Sequence, residues 1–153
     1  MAASRFRDYV LLTIGYEGKR IDQFIVELVE SEVECLIDIR EVPISRKAGF
    51  SKTPLAKALE EKGIEYFHIR ELGSSKRMRD NLRTTGDFDS FRREYMMYLN
   101  KHIPAVKAIE GIMEQGRRVC LMCYEQSHET CHRSIVSGYL SVRNSSIIEE
   151  HLT

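Results

Sequence analysis

"YVLLTIGYEGKRIDQFIVELVES", residues 9–31, holds the alternation that decides the fold. Residues 9–14 form a short unbroken apolar run rich in strand formers and closed by Gly15, the pattern of a strand buried on both faces. The period then changes, because Ile21, Phe24, Ile25, Leu28 and Val29 recur at helical spacing. A doubly buried strand followed at once by an amphipathic helix is half of a βαβ unit. It predicts a parallel sheet covered by helices.

The unit repeats along the chain. "VECLIDI" (33–39) reads as a second strand, and "TPLAKALEEKG" as a helix with Thr53 as N-cap, Pro54 at its first position and Gly63 as its stop. "IEYFHI" (64–69) is a third strand. "FDSFRREYMMYLNKHI" sets Phe88, Phe91, Tyr95, Tyr98 or Leu99, and His102 on one stripe behind an Asp87 cap, and "PAVKAIEGIMEQG" gives a helix from Pro104 to Gly116. "RRVCLMC" is the fourth strand and "CHRSIVSGYLS" the last helix. The order βαβαβααβα defines one α/β domain over residues 1–153, in three αβα layers around a mainly parallel sheet of about four strands. In such a sheet the strand-ending loops share one edge, and ligands bind there.

A chain of 153 residues, 42% hydrophobic and 30% charged, with three prolines and no Gly/Ser-rich tract, suits one globular domain without a linker. No apolar run is long enough to cross a bilayer, and the apolar segment near the N-terminus is too short for a secretory leader, so a cytoplasmic protein with no membrane partner is expected. Cys35 and Cys120 lie inside apolar runs, and all four cysteines are expected as reduced thiols. Formal net charge is zero, yet residues 40–83 carry eleven basic side chains against six acidic ones. That excess sits largely in "REVPISRKAGFSK" and "RELGSSKRMRDNLR", both read as loops, where it is either solvated surface charge or a contact for phosphate.

Three strand-ending segments hold the candidate chemistry. In "DIREVPISR", Asp38 and Arg40 lie two apart and so share a face of the strand. They form either a structural ion pair or a carboxylate that orients a guanidinium toward an anion, with Ser45 and Arg46 downstream. In "TIGYEGKR" the two glycines suit a tight turn with Asp22 capping the helix, and Tyr16 and Glu17 reach the shared edge. "VCLMCYEQSHETCHRSIV" (119–136) admits three readings. Cys123, His128, Cys131 and His132 are four soft donors for zinc, although the spacing is not that of a standard finger and neighbours on a helix splay apart. Cys123 ends a strand beside a helix start, as a thiolate nucleophile would, although the residue six beyond it is Glu129 rather than the arginine of cysteine phosphatases. Finally, His132 and Arg133 fall in the first helical turn, where an anion or Glu125 and Glu129 would compensate them, with Glu125 placed for acid or base work.

Together "TIGYEG", "DIREVPISR", "GFSKTPLAKALEEKGIEYFHIRELG" and "CLMCYEQSHETCHR" resemble the domain of unknown function 488 family over about residues 13–140. The resemblance implies a small cytosolic α/β protein with these motifs gathered at one edge and brings no activity with it. The family often has L-G-G where this chain has Leu72-Gly73-Ser74, and T-I-G-H-S where it has Tyr16 and Glu17, so no histidine role transfers to position 16.

The expected function is an enzyme acting on a phosphate-bearing nucleotide or nucleic acid. Arg40, Ser45, Arg46, Arg133 and Tyr16 would hold the anion, Asp38 would orient Arg40, and Glu125, His132 or Cys123 would supply proton transfer or attack. A non-catalytic nucleic-acid-binding module, with Tyr16 or Phe50 stacking on a base, is the alternative, and a metal-binding or scaffold protein the third. No cofactor is expected, zinc being the alternative, and the oligomeric state is left open.

Overall fold

The computed structural model describes residues 8–153; residues 1–7, part of the stretch read as lacking a secretory leader, lie outside it. Five strands form one parallel sheet: β1 (Tyr9–Gly15), β2 (Cys35–Asp38), β3 (Glu65–His68), β4 (Val119–Cys123) and β5 (Ile147–His151), in the order β3-β2-β4-β1-β5. Six helices accompany them: α1 (Ile21–Glu30), α2 (Lys52–Glu60), α3 (Lys76–Thr85), α4 (Phe88–Asn100), α5 (Ile103–Glu114) and α6 (His132–Arg143). No helix among the described residues is long and apolar enough to cross a membrane.

The strand alternation divides the core in two. Leu12, Ile14, Leu36, Cys120 and Met122 face one side with Phe24 and Leu28 of α1 and Leu55 and Leu59 of α2. Leu11, Cys35, Ile37, Val119 and Leu121 face the other, against Tyr95 and Leu99 of α4, Val106 and Ile109 of α5, and Val136 and Leu140 of α6. Each fully buried side chain of this size contributes roughly 1.5–3 kcal/mol, so the two apolar faces of the central strands hold the three layers together.

The sheet has five strands rather than about four. β5, "IIEEH", is an edge strand with only two apolar residues and partly exposed throughout, and it is stabilised by pairing with β1. The larger correction concerns "SSKRMRDNLR", read as loop. It forms α3, with the Ser75 side chain accepting from the Met78 N–H at 3.2 Å and Gly86 ending the helix at φ 69°. Met78 is the residue this helix buries fully, so its charges concealed the periodicity. Smaller shifts occur at caps: Ser51, not Thr53, precedes α2, and Arg20, not Asp22, precedes α1. Asp87 caps α4 as expected, accepting from the Ser90 N–H at 3.0 Å.

Candidate functional site

The ends of β1, β2 and β4 are tied into one platform. The Tyr16 N–H donates to the Cys123 carbonyl (3.2 Å), Glu17 N–H to that of Tyr124 (2.8 Å) and Ile39 N–H to that of Met122 (3.1 Å). Gly15 is needed where β1 leaves the sheet, since a Cβ there would collide with the Glu125 carbonyl. Gly73 meets the same requirement against the backbone of Glu41. These two close approaches bring the β2, β3 and β4 loops onto one edge.

Asp38 and Arg40 form the first corner. Arg40 Nε and Nη2 donate to the two Asp38 oxygens at 2.9 and 2.7 Å, the Arg40 N–H adds 3.1 Å, and the Tyr66 hydroxyl donates to Asp38 at 2.5 Å. Arg40 Nη1 reaches the Tyr16 hydroxyl at 3.3 Å. Burial works against the Arg40 charge, but the Asp38 carboxylate outweighs it and raises the guanidinium pKa. Burial and then the Asp38 charge raise the Tyr66 phenol. Asp38 is fully buried and holds Arg40, whose guanidinium lines a cleft of about 180 Å³.

The second corner is Arg133, fully buried at the start of α6. Its Nη1 donates to the Glu125 carbonyl and to Cys123 Sγ (3.1 Å), and Nη2 to the Gln126 carbonyl (2.9 Å), so it pins the β4–α6 loop. Burial lowers its pKa, and its Nε has no hydrogen-bond partner among the described residues. Burial also pushes the Glu125 carboxyl upward. His132 Nε2 donates to the Ile39 carbonyl (2.9 Å), and burial drives its pKa down to about 4, so the ring is neutral at pH 7.

Between the corners lie two adjoining clefts. The smaller cleft is lined by Tyr16, Arg40, Ser74, Arg79, Cys123 and Glu125, among others. It adjoins one of about 400 Å³, which shares Ser74, Arg79, Glu125 and His132 and adds Leu82, Phe88 and Phe91. A cavity of that size is in the range of small-molecule sites. Ser74 Oγ is buried without a partner among the described residues, and Arg79 is one-third exposed, its Nη2 3.2 Å from Glu41.

The edge therefore gathers Tyr16, Asp38, Arg40, Cys123, Glu125 and His132. It does not gather Ser45, whose backbone and hydroxyl close a turn with Ser51 and Lys47, or Arg46, which is exposed elsewhere on that loop. Phe50 is fully buried and stacks on Tyr16 with centroids 4.6 Å apart, so both rings are taken up by the core. His128 stacks on His151 at 3.7 Å. Cys35 and Cys120 are free buried thiols as expected, whereas the sulfurs of Cys123 and Cys131 meet in bonding contact. Ser74 and Arg79 were missed. The basic run contained Arg79, but only the turn after β3 and the helical form of residues 76–85 bring Ser74 and Arg79 to the cleft.

The parallel sheet with helices on both faces defines an α/β protein, and its charged cleft lies outside the carboxyl ends of the strands, where such folds generally bind ligands. The family described as a domain of unknown function, DUF488, matches residues 20–140, and the chain belongs to it. No curated protein and no solved structure matches the chain.

Proposed function

We propose that the protein is an enzyme acting on a phosphate-bearing small molecule of the nucleotide class. The single observation that carries this reading is Ser74 Oγ, a buried hydroxyl without a partner in a cleft that Arg40 and Arg79 also line. A buried polar group left unpaired costs about 1–3 kcal/mol, and an anion oxygen there would relieve it. Arg40 is held rigidly by Asp38, which suits a guanidinium that must meet phosphate without first being ordered.

The neighbouring wall supports a nucleoside rather than bare phosphate. Leu82, Phe88 and Phe91 give the larger cleft an apolar end, with the two phenylalanine rings 5.7 Å apart, where a base can pack. Glu125 borders both parts of the cleft and is the group we assign to proton transfer. Arg133 takes a positioning role in this reading, since its donors are spent on the loop that carries Glu125.

Calorimetric titration of nucleoside monophosphates tests the proposal. Saturable binding is expected, weakened roughly ten- to a hundredfold in Arg79→Gln, the effect of losing one charge-assisted contact worth about 1.5–3 kcal/mol. Absence of binding by any of the common nucleoside monophosphates would exclude it. The alternative, a nucleic-acid-binding module without turnover, draws support from Lys76, Arg77 and Arg83 on the exposed side of α3. It predicts oligonucleotide affinity that falls steeply with salt and no preference for the monophosphate.

A further inference from the structure

The cysteines of the β4–α6 segment are not equivalent to the other two. Cys35 and Cys120 are buried in the apolar layers on opposite faces of the sheet. Cys123, Cys131 and His132 instead converge: one donor atom from each lies within 4.8 Å of the others, and all three residues are buried. Cys131 Sγ is 3.8 Å from His132 Nδ1. Zinc bonded tetrahedrally at about 2.3 Å to sulfur and about 2.0 Å to nitrogen sets its donors roughly 3.5–3.8 Å apart, close to that sulfur–nitrogen separation but wider than the contact between the two sulfurs.

Local backbone explains how adjacent residues serve one centre. Cys131 is the N-cap of α6, extended at φ −121° and ψ 146°, while His132 is the first helical residue. The expectation that neighbours would splay apart assumed both were helical. The Ile39 carbonyl beside His132 Nε2 can only accept, so the ring proton sits on Nε2 and the Nδ1 lone pair is free toward the sulfurs. A histidine oriented by a backbone carbonyl through its other nitrogen is the usual support of a metal ligand.

The surroundings suit thiolates. Arg133 Nη1 donates to Cys123 Sγ at 3.1 Å, and Arg133, buried, has no carboxylate among its hydrogen-bond acceptors. A thiolate supplies the counter-charge that its carbonyl partners cannot. The sulfurs are in contact, yet the Cα atoms of Cys123 and Cys131 stand 7.7 Å apart, beyond the roughly 4.4–6.8 Å that a relaxed disulfide spans. An ion between them requires the two sulfurs to part, which the wide spacing of the Cα atoms allows.

We propose that Cys123 Sγ, Cys131 Sγ and His132 Nδ1 bind one zinc ion, with the fourth position open to the cleft beside Glu125. Loading replaces two thiol protons, which leave to solvent, by one divalent ion. Three protein ligands and an open position are the arrangement of catalytic rather than structural zinc. Glu125 Oε2, 3.5 Å from Cys123 Sγ, stands next to that position. The zinc site rests on the donor atoms alone and would stand even if the cleft bound no nucleotide.

The test is the metal content of the full chain, purified with a non-chelating reductant and no added metal. About one zinc per chain is expected by plasma mass spectrometry. Replacement by cobalt should give the intense thiolate charge-transfer and tetrahedral ligand-field bands. Neither measurement depends on a variant folding. Cys131→Ser and His132→Gln should each weaken zinc at least tenfold, while His128→Ala retains it. Metal-free protein with a Cys123–Cys131 disulfide or two free thiols, or full zinc retention in Cys131→Ser, overturns the proposal. Nucleotide binding is read separately by calorimetry on the zinc-loaded chain, so failure of one reading is distinguishable from failure of the other.

Discussion

The two arginine corners of the site are both buried and meet their charge in opposite ways. Arg40 is neutralised by a carboxylate two residues before it, through two parallel hydrogen bonds, and its remaining nitrogen donates to the Tyr16 hydroxyl beside a cleft that both residues line. Arg133 touches two carbonyls and a sulfur, and one of its nitrogens has no partner. An ion pair makes a guanidinium self-sufficient and available to position a ligand. A guanidinium without one depends on what the loop around it carries, and here that loop carries the cysteines and Glu125.

The largest effect should come from removing the counter-charge at the first corner. Asp38→Ala strands a buried guanidinium and should cost about 3–5 kcal/mol in urea unfolding, a large share of the roughly 5–15 kcal/mol that an ordinary domain has. Gly15→Ala should come next, because it drives the Glu125 carbonyl and Arg133 away from β1. A loss of several kcal/mol, roughly 2–4 on the scale of forced backbone displacement, is expected in the same assay. Arg133→Met should cost less, about 1–3 kcal/mol, since it frees two loop carbonyls but also removes a buried charge. If Arg133→Met proves more damaging than Asp38→Ala, the contrast between the corners is wrong.

Two milder variants sharpen the comparison. Tyr66→Phe removes one hydrogen bond to Asp38 and should cost about 1 kcal/mol in thermal or urea unfolding, leaving the ion pair in place. Ser74→Ala removes a buried hydroxyl that has no partner among the described residues, so stability should hold or rise by up to about 1–3 kcal/mol while nucleotide affinity falls. A large loss of stability in Ser74→Ala would mean that its hydroxyl serves the fold.

Most of this architecture was legible in the chain because the central strands are apolar on both faces. The runs ending at Gly15, Asp38 and Cys123 needed no tertiary information. β5 was not legible, since Glu149 and Glu150 interrupt its apolar pattern and its order comes from β1, far away in sequence. α3 was hidden by six charged or amide side chains around Met78 and Leu82. At the site, Asp38 and Arg40 announced themselves by their spacing of two. The confinement of Arg133 did not, because it depends on the missing Cβ of Gly15 across the sheet. Ser74 and Arg79 required the turn after β3 and the helix after it to be placed in space.

The most direct test of the account is a crystal structure of the chain with a bound nucleoside monophosphate. The phosphate should lie between Arg40 and Arg79 within hydrogen-bonding distance of Ser74 Oγ, with the base toward Phe88 and Phe91. A phosphate bound instead on the outer face of α3, or at the loop of Ser45 and Arg46, would contradict it.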